Sequence, residues 1–192
     1  MYIMKTEIKV LKELIPSEEG FTIRELSRRI GSDYRITYLS VKKLADKGLL
    51  DRRVIGKSIL VRFNRRFSAE VFKAEHERAE EIHNRKDFEI ISETIRQSIK
   101  TVHLIILLFG SYAKKTQTKN SDIDLMVIAP GTEHEKEVEQ AVSLIPLPIH
   151  LLFFTEEEFA RMRDSREGNV GKEAMKNNMI LYGIEQYYGL LE

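Results

Sequence analysis

Two short apolar runs, Leu104–Phe109 and Leu125–Ala129, frame a polar loop, and that frame restricts the chain more than any other feature. Runs of this length bounded by turn residues fit buried strands. The first run ends in Gly110-Ser111, and Asp122-Ile123-Asp124 leads into the second. Side chains two apart on a strand share a face. Asp122 and Asp124 are therefore expected to project together, beside the end of the neighbouring strand. Adjacent carboxylates repel, and burying them unpaired is costly. A divalent cation relieves both costs, and oxygen-only donors suit a hard ion such as Mg²⁺. Gly110 lets backbone approach a ligand closely, and Ser111 with the N–H groups after it suits phosphate oxygens.

Gly-Ser, ten residues, then Asp-x-Asp, set between two strands, resembles the minimal nucleotidyltransferase family of the DNA-polymerase-β superfamily. The resemblance covers roughly residues 86–183. It implies a short mixed β-sheet flanked by helices. It also implies transfer of a nucleoside monophosphate, AMP from ATP above all, from a Mg²⁺-bound triphosphate to an acceptor hydroxyl. By that resemblance Gly110, Ser111 and Lys115 bind the nucleotide, with Lys114 and Lys119 as further loop cations, and Asp122 and Asp124 hold Mg²⁺. The short prokaryotic members imply an antitoxin role, in which AMP is added to a tyrosine of a partner toxin of the small helical ribonuclease type.

Family members carry a third acidic residue on the third strand, where it helps to activate the nucleophile. The aligned stretch here is Pro148-Ile149-His150-Leu151-Leu152, so His150 stands in that place. Three readings stay open. His150 replaces the base, since imidazole suits taking a proton from a hydroxyl. Or the site has lost its chemistry and the domain senses nucleotide or dimerises. Or Glu156, Glu157 or Glu158 supplies the acid, although Thr155-x-x-Glu158 is a capping box that puts them beyond the strand.

The N-terminal third follows a different pattern. Ile8, Leu11, Leu14 and Ile15 recur at helical spacing before Pro16. Thr22 and Glu25 form a capping box ahead of Ile23, Leu26 and Ile30. A third helix is expected over Ser32–Lys47, with Ile36, Leu39, Val41 and Leu44 as its apolar residues. Two strand-like runs around Gly56-Lys57 then predict a hairpin. The stretch Phe21–Phe63 resembles the winged helix-turn-helix domains of prokaryotic regulators, including the ending Leu44-Ala45-Asp46-Lys47-Gly48-Leu49-Leu50. That resemblance implies DNA contacts from Tyr34, Arg35, Thr37, Tyr38 and Lys42 on the third helix, and from Arg52, Arg53 and Lys57 on the wing. It also implies a homodimer on two half-sites. Protein pairing is the other use of such a module.

Charge separates the two patterns. Residues 1–66 hold 16 Lys+Arg against 8 Asp+Glu, a net +8. Residues 67–192 hold 15 against 22, a net −7, and the whole chain carries +1. A basic module beside a compact fold points to nucleic acid, with a solvated charged face as the plain alternative. The expected organisation is α+β. A winged helix-turn-helix spans 1–66, a helical connector 67–85, and a nucleotidyltransferase-like domain 86–192.

Helices are expected over Ala69–His83, where the charges of Glu75, Glu77, Arg78, Glu80 and Glu81 form a solvated face, and over Asp87–Lys100. Later helices are expected over 133–144, from Thr155 and over 169–178. Ile149–Phe154 is a third buried-strand candidate, and Met179–Gly183 is an edge strand or a helix continuation. His76, His83 and His103 are read as surface or boundary residues. No run of 18 apolar residues occurs, the first residues lack a signal-peptide profile and there is no cysteine, so a cytoplasmic protein without membrane span or disulfide is expected.

Overall fold

The computed structural model describes residues 2–83, 86–98 and 103–191. Residues 99 and 100, the end of the helix expected over Asp87–Lys100, and the His83 side chain lie outside the described residues. The chain divides after Glu77 into two compact units. Among the described residues no helix is long and apolar enough to cross a membrane.

The first unit runs α1 (Tyr2–Leu14), β1 (Phe21–Thr22), α2 (Ile23–Arg29), α3 (Tyr34–Asp46), β2 (Leu50–Ile55) and β3 (Ser58–Phe63). The β2–β3 hairpin pairs antiparallel, and β1 adds to the outer side of β3, with Phe21 opposite Val61. The Thr22–Glu25 capping box starts α2, and the Asp33 carboxylate accepts the N–H groups of Arg35 and Ile36 to start α3. Ile8, Leu11, Leu14, Ile23, Leu26, Val41, Leu44 and Val61 fill the core. The expected α3 stripe is only half right. Val41 and Leu44 are fully buried beside Thr37 and Ser40, whereas Ile36 and Leu39 face outward, 36% and 47% exposed.

The division falls within α4 (Ala69–His83). Glu75 and Arg78, expected on a solvated face, are both buried. Arg78 is sustained there by donating through Nη2 to the Asn178 carbonyl, 2.7 Å away.

The second unit continues with α5 (Lys86–Ser98), β4 (Ile105–Leu108), α6 (Gly110–Ala113), β5 (Ile123–Ala129), a 3-10 turn at Thr132–His134 and α7 (Glu135–Ser143). It closes with β6 (Ile149–Thr155), α8 (Glu156–Asp164), α9 (Val170–Lys176), β7 (Met179–Tyr182) and α10 (Ile184–Leu191). The sheet order is β6-β5-β4-β7. β5 and β6 are parallel, while β4 is antiparallel to both β5 and β7. The result is the short mixed sheet that the resemblance implied.

Both central strands are buried along almost their whole length, as continuous apolar runs require. One sheet face (Ile106, Leu108, Leu125, Val127, Leu181) packs against Phe88, Ile91 and Ile95 of α5 and Val138 and Val142 of α7. On the opposite side Phe159 of α8 and Tyr187 and Tyr188 of α10 are buried. β6 departs from expectation: it is an edge strand, and its residues are only partly covered. Met179–Tyr182 resolves as a strand covering the outer edge of β4, not as a helix continuation.

Candidate functional site

Three chain segments meet at one end of the second sheet. β4 runs into Gly110, and β5 and β6 begin there because they run parallel to each other and antiparallel to β4. Phe109 extends the β4–β5 ladder by donating its N–H to the Asp124 carbonyl, 3.0 Å. Gly110 follows with φ +65°, a left-handed conformation that glycine adopts without steric cost. A Cβ added there would overlap Asp124 Oδ2 and lie 2.8 Å from Asp124 Cγ. The missing side chain therefore makes room for the Asp124 carboxylate.

Asp124 is the register partner of His150 on β6. His150 Nδ1 lies 3.2 Å from Asp124 Oδ1, with the imidazole largely exposed and the carboxylate half-buried. Asp124 thus sits between Gly110 on its β4 side and His150 on its β6 side. Asp122 lies just before β5, is exposed, and is separated from Asp124 by the buried Ile123. The strand entry is pinned by the Ile123 N–H donating to Pro148 O, 2.8 Å, and by the Thr118–Ser121 turn before it. Among the described residues no group of three or more His, Cys, Asp or Glu is assembled as a metal site.

The Gly110 turn is fixed by local bonds. Lys114 N–H donates to Gly110 O and Thr116 N–H to Ser111 O, at 3.1 and 2.9 Å. The Tyr112 ring packs edge-on against Phe88 at 5.6 Å, tying the turn to α5. Ser111 is partly exposed at the turn, and Lys119 is exposed in the loop. Lys115 adopts φ +57°, and its ammonium lies 3.0 Å from Glu81. Lys114 lies 2.8 Å from Glu173. The Glu173 carboxyl is held below the usual range, first by the hydrogen bond from Lys114, then by the charges of Lys114 and Lys176. Neither glutamate stood out in the sequence, because they lie 34 and 59 residues from their lysines and no local spacing marks them.

Glu158 caps α8 with Thr155: its carboxylate accepts the Thr155 N–H at 2.8 Å. His103 is mostly exposed, 3.9 Å from Glu156, and His76 is exposed.

In the first unit, Tyr34, Arg35, Lys42, Arg52, Arg53 and Lys57 are exposed, and Tyr38 is partly so. Thr37 must be corrected as a contact. It is fully buried, and its hydroxyl donates to Asp33 O at 2.9 Å in the first turn of α3. The outward face instead carries Arg35, Leu39 and Lys42, spaced four and three apart.

No curated protein and no solved structure matches the chain. Residues 88–172, which include α6, β5 and β6, match the family model described as the nucleotidyltransferase domain, and that match supports nucleotidyl transfer as the general activity of this part of the chain.

Proposed function

We propose that the second unit transfers a nucleoside monophosphate, AMP from ATP, to an acceptor hydroxyl with the help of Mg²⁺. The observation that carries this reading is the row Gly110, Asp124, His150 across one sheet end. Asp124 offers Oδ1 to His150 and keeps Oδ2 on the Gly110 side. Mg²⁺ is commonly held by one or two carboxylates plus substrate phosphates, so Asp124 and Asp122 form a donor set that fits it. Bound there, such an ion would neutralise charge on the phosphates. Gly110 and Ser111 would hold phosphate oxygens, with Lys114, Lys115 and Lys119 as nearby cations.

Asp124 accepting from Nδ1–H leaves the Nε2 lone pair of His150 to take the acceptor proton, the orienting role a carboxylate plays beside a catalytic imidazole. The acceptor oxygen bonds to the α-phosphorus, the α–β phosphoanhydride bond breaks, and pyrophosphate leaves. Most of the rate gain would come from positioning and charge stabilisation. The acceptor proposed from the family resemblance is a tyrosine of a partner toxin.

For the first unit we propose a winged helix-turn-helix that binds DNA as a homodimer. The helix–helix–hairpin order and the exposed Arg35, Lys42, Arg52, Arg53 and Lys57 support it.

The His150–Asp124 contact also favours a second reading. An imidazole engaging one carboxylate oxygen occupies a donor that a metal would use. The domain would then bind nucleotide without transferring it and serve a transcription regulator as a sensing or dimerising part. Incubation with ATP labelled on the α-phosphate, Mg²⁺ and a candidate partner, beside an Asp122→Ala/Asp124→Ala variant, separates the two. Label transfer that the variant loses supports the enzyme. Nucleotide binding with no transfer rejects it in favour of the regulator.

A further inference from the structure

A cavity of about 570 Å³ opens beside the Gly110 turn, between Lys114 and the helix α9 with its flanks, Asn169, Lys172, Glu173, Lys176 and Asn177. Its size suits a small ligand. Asp122, Asp124 and His150 are not in its lining. The lining is charged: three lysines face one glutamate. Lys172 and Lys176, four apart on α9, share a helix face. Lys172 donates to the Ser165 carbonyl, which holds its ammonium in place. Glu173 pairs with Lys114 at 2.8 Å and is the one carboxylate in the lining, so the three ammoniums are only partly neutralised.

Gathered like charges raise the local potential, and an anion with several oxygens is the ligand that relieves it. Lysine ammoniums bind phosphate as point charges. Lys114 is also the C-cap of α6, four residues after Gly110, so an anion in the cavity adjoins the turn proposed to hold nucleotide phosphates.

We propose that this cavity is a phosphate site, with Lys114, Lys172 and Lys176 as its cations and Glu173 as the counter-charge with which an incoming anion competes for Lys114. It rests on the transfer reading only for where the phosphate comes from: the β,γ end of the nucleotide, or a phosphate carried by the acceptor.

Inorganic pyrophosphate titrated calorimetrically into the full chain without divalent ion tests the site. A single binding event is expected, weakened roughly ten-fold or more in Lys172→Ala/Lys176→Ala. Glu173→Gln removes the opposing charge and should bind pyrophosphate as tightly or more tightly, an outcome that misfolding would not produce. Absence of binding, the same affinity in the double-lysine variant, or any weakening by Glu173→Gln overturns the proposal. Saturating ATP then identifies the source. Competition assigns the cavity to the nucleotide's own phosphates, and an unchanged pyrophosphate affinity assigns it to an acceptor phosphate. Neither arm needs transfer to occur, so failure of the cavity and failure of the transfer reading are separable.

Discussion

Gly110→Ala is the sharpest probe of the row at the sheet end. Gly110 has φ +65°, and an alanine held there costs about 1–2 kcal/mol. Its Cβ would lie 2.8 Å from Asp124 Cγ, whereas ordinary contact begins near 3.4 Å, so the carboxylate must retreat by at least about 0.6 Å. Retreat along the sheet is obstructed, because His150 Nδ1 already stands 3.2 Å from Oδ1 on the other side. The carboxylate has to rotate off its position or the turn has to move, an overpacking cost of about 1–3 kcal/mol. Together a loss of about 2–5 kcal/mol is expected, read as a lower urea midpoint at unchanged slope. On the transfer reading Asp124 is a positioned carboxylate of the site, and misplacement by about an ångström costs on the order of 10²-fold in rate, so label transfer should fall toward that order.

Gly31→Ala supplies the reference. Gly31 has φ +61° but nothing within 4 Å of an added Cβ, so it carries the conformational cost alone. If Gly110→Ala lowers stability no more than Gly31→Ala and leaves transfer intact, the wedging of Asp124 between Gly110 and His150 is wrong.

The other perturbations are simpler. His150→Asp should raise divalent-ion affinity, measured by calorimetry, since a third oxygen donor then joins Asp122 and Asp124; no gain would argue against a metal role for the pair. Asp33→Ala removes the acceptor for two N–H groups of α3 and should cost about 1 kcal/mol in denaturant unfolding. The Glu70 carboxyl is held below its ordinary value of 4.5, first by the hydrogen bond from Lys47. A depressed carboxyl contributes stability that is complete above 4.5 and lost as pH falls through the lowered value, so Glu70→Gln should be less stable than wild type at neutral pH and converge with it in acid. A gap in urea midpoint that persists below pH of about 2 would refute this assignment. Arg35→Ala and Arg52→Ala should each weaken DNA binding and flatten its salt dependence by roughly one unit of slope if they meet phosphates; binding insensitive to salt would remove phosphate contact as the mode.

The parts of the fold that were legible in the sequence are those decided within a few residues. Thr22–Glu25 and Thr155–Glu158 are three apart, and both capping boxes form. The apolar runs at 104–109 and 125–129 became β4 and β5 because nothing in them fits a solvated surface. What escaped depended on distant partners. β1 is two residues long and exists only through Val61 and Leu60. Arg78 is buried because a carbonyl 100 residues later receives it. The outward turn of Leu39 and the burial of Thr37 reverse the hydrophobic order, since α3 packs on a stripe of Thr37, Ser40, Val41 and Leu44. At the candidate site the spacing of Gly110, Ser111, Asp122 and Asp124 was visible. The glutamates facing Lys114 and Lys115, and the open flank of β6, were not, because sheet order is a long-range property.

The strand β7 lies beyond the matched stretch 88–172, and this bears on how the chain is made. Until Met179 and Ile180 pair with Leu108 and Leu107, the outer edge of β4 is an uncovered Ile-Ile-Leu-Leu strand without a charge. Such edges recruit other chains. During synthesis β4 must wait some 70 residues for its cover, roughly 4–14 s at a ribosome's usual ~5–20 residues per second. A fragment cut at residue 172 would wait indefinitely. Expressed alone, the matched stretch 88–172 should aggregate, and its solubility should return when the chain is extended through Tyr182.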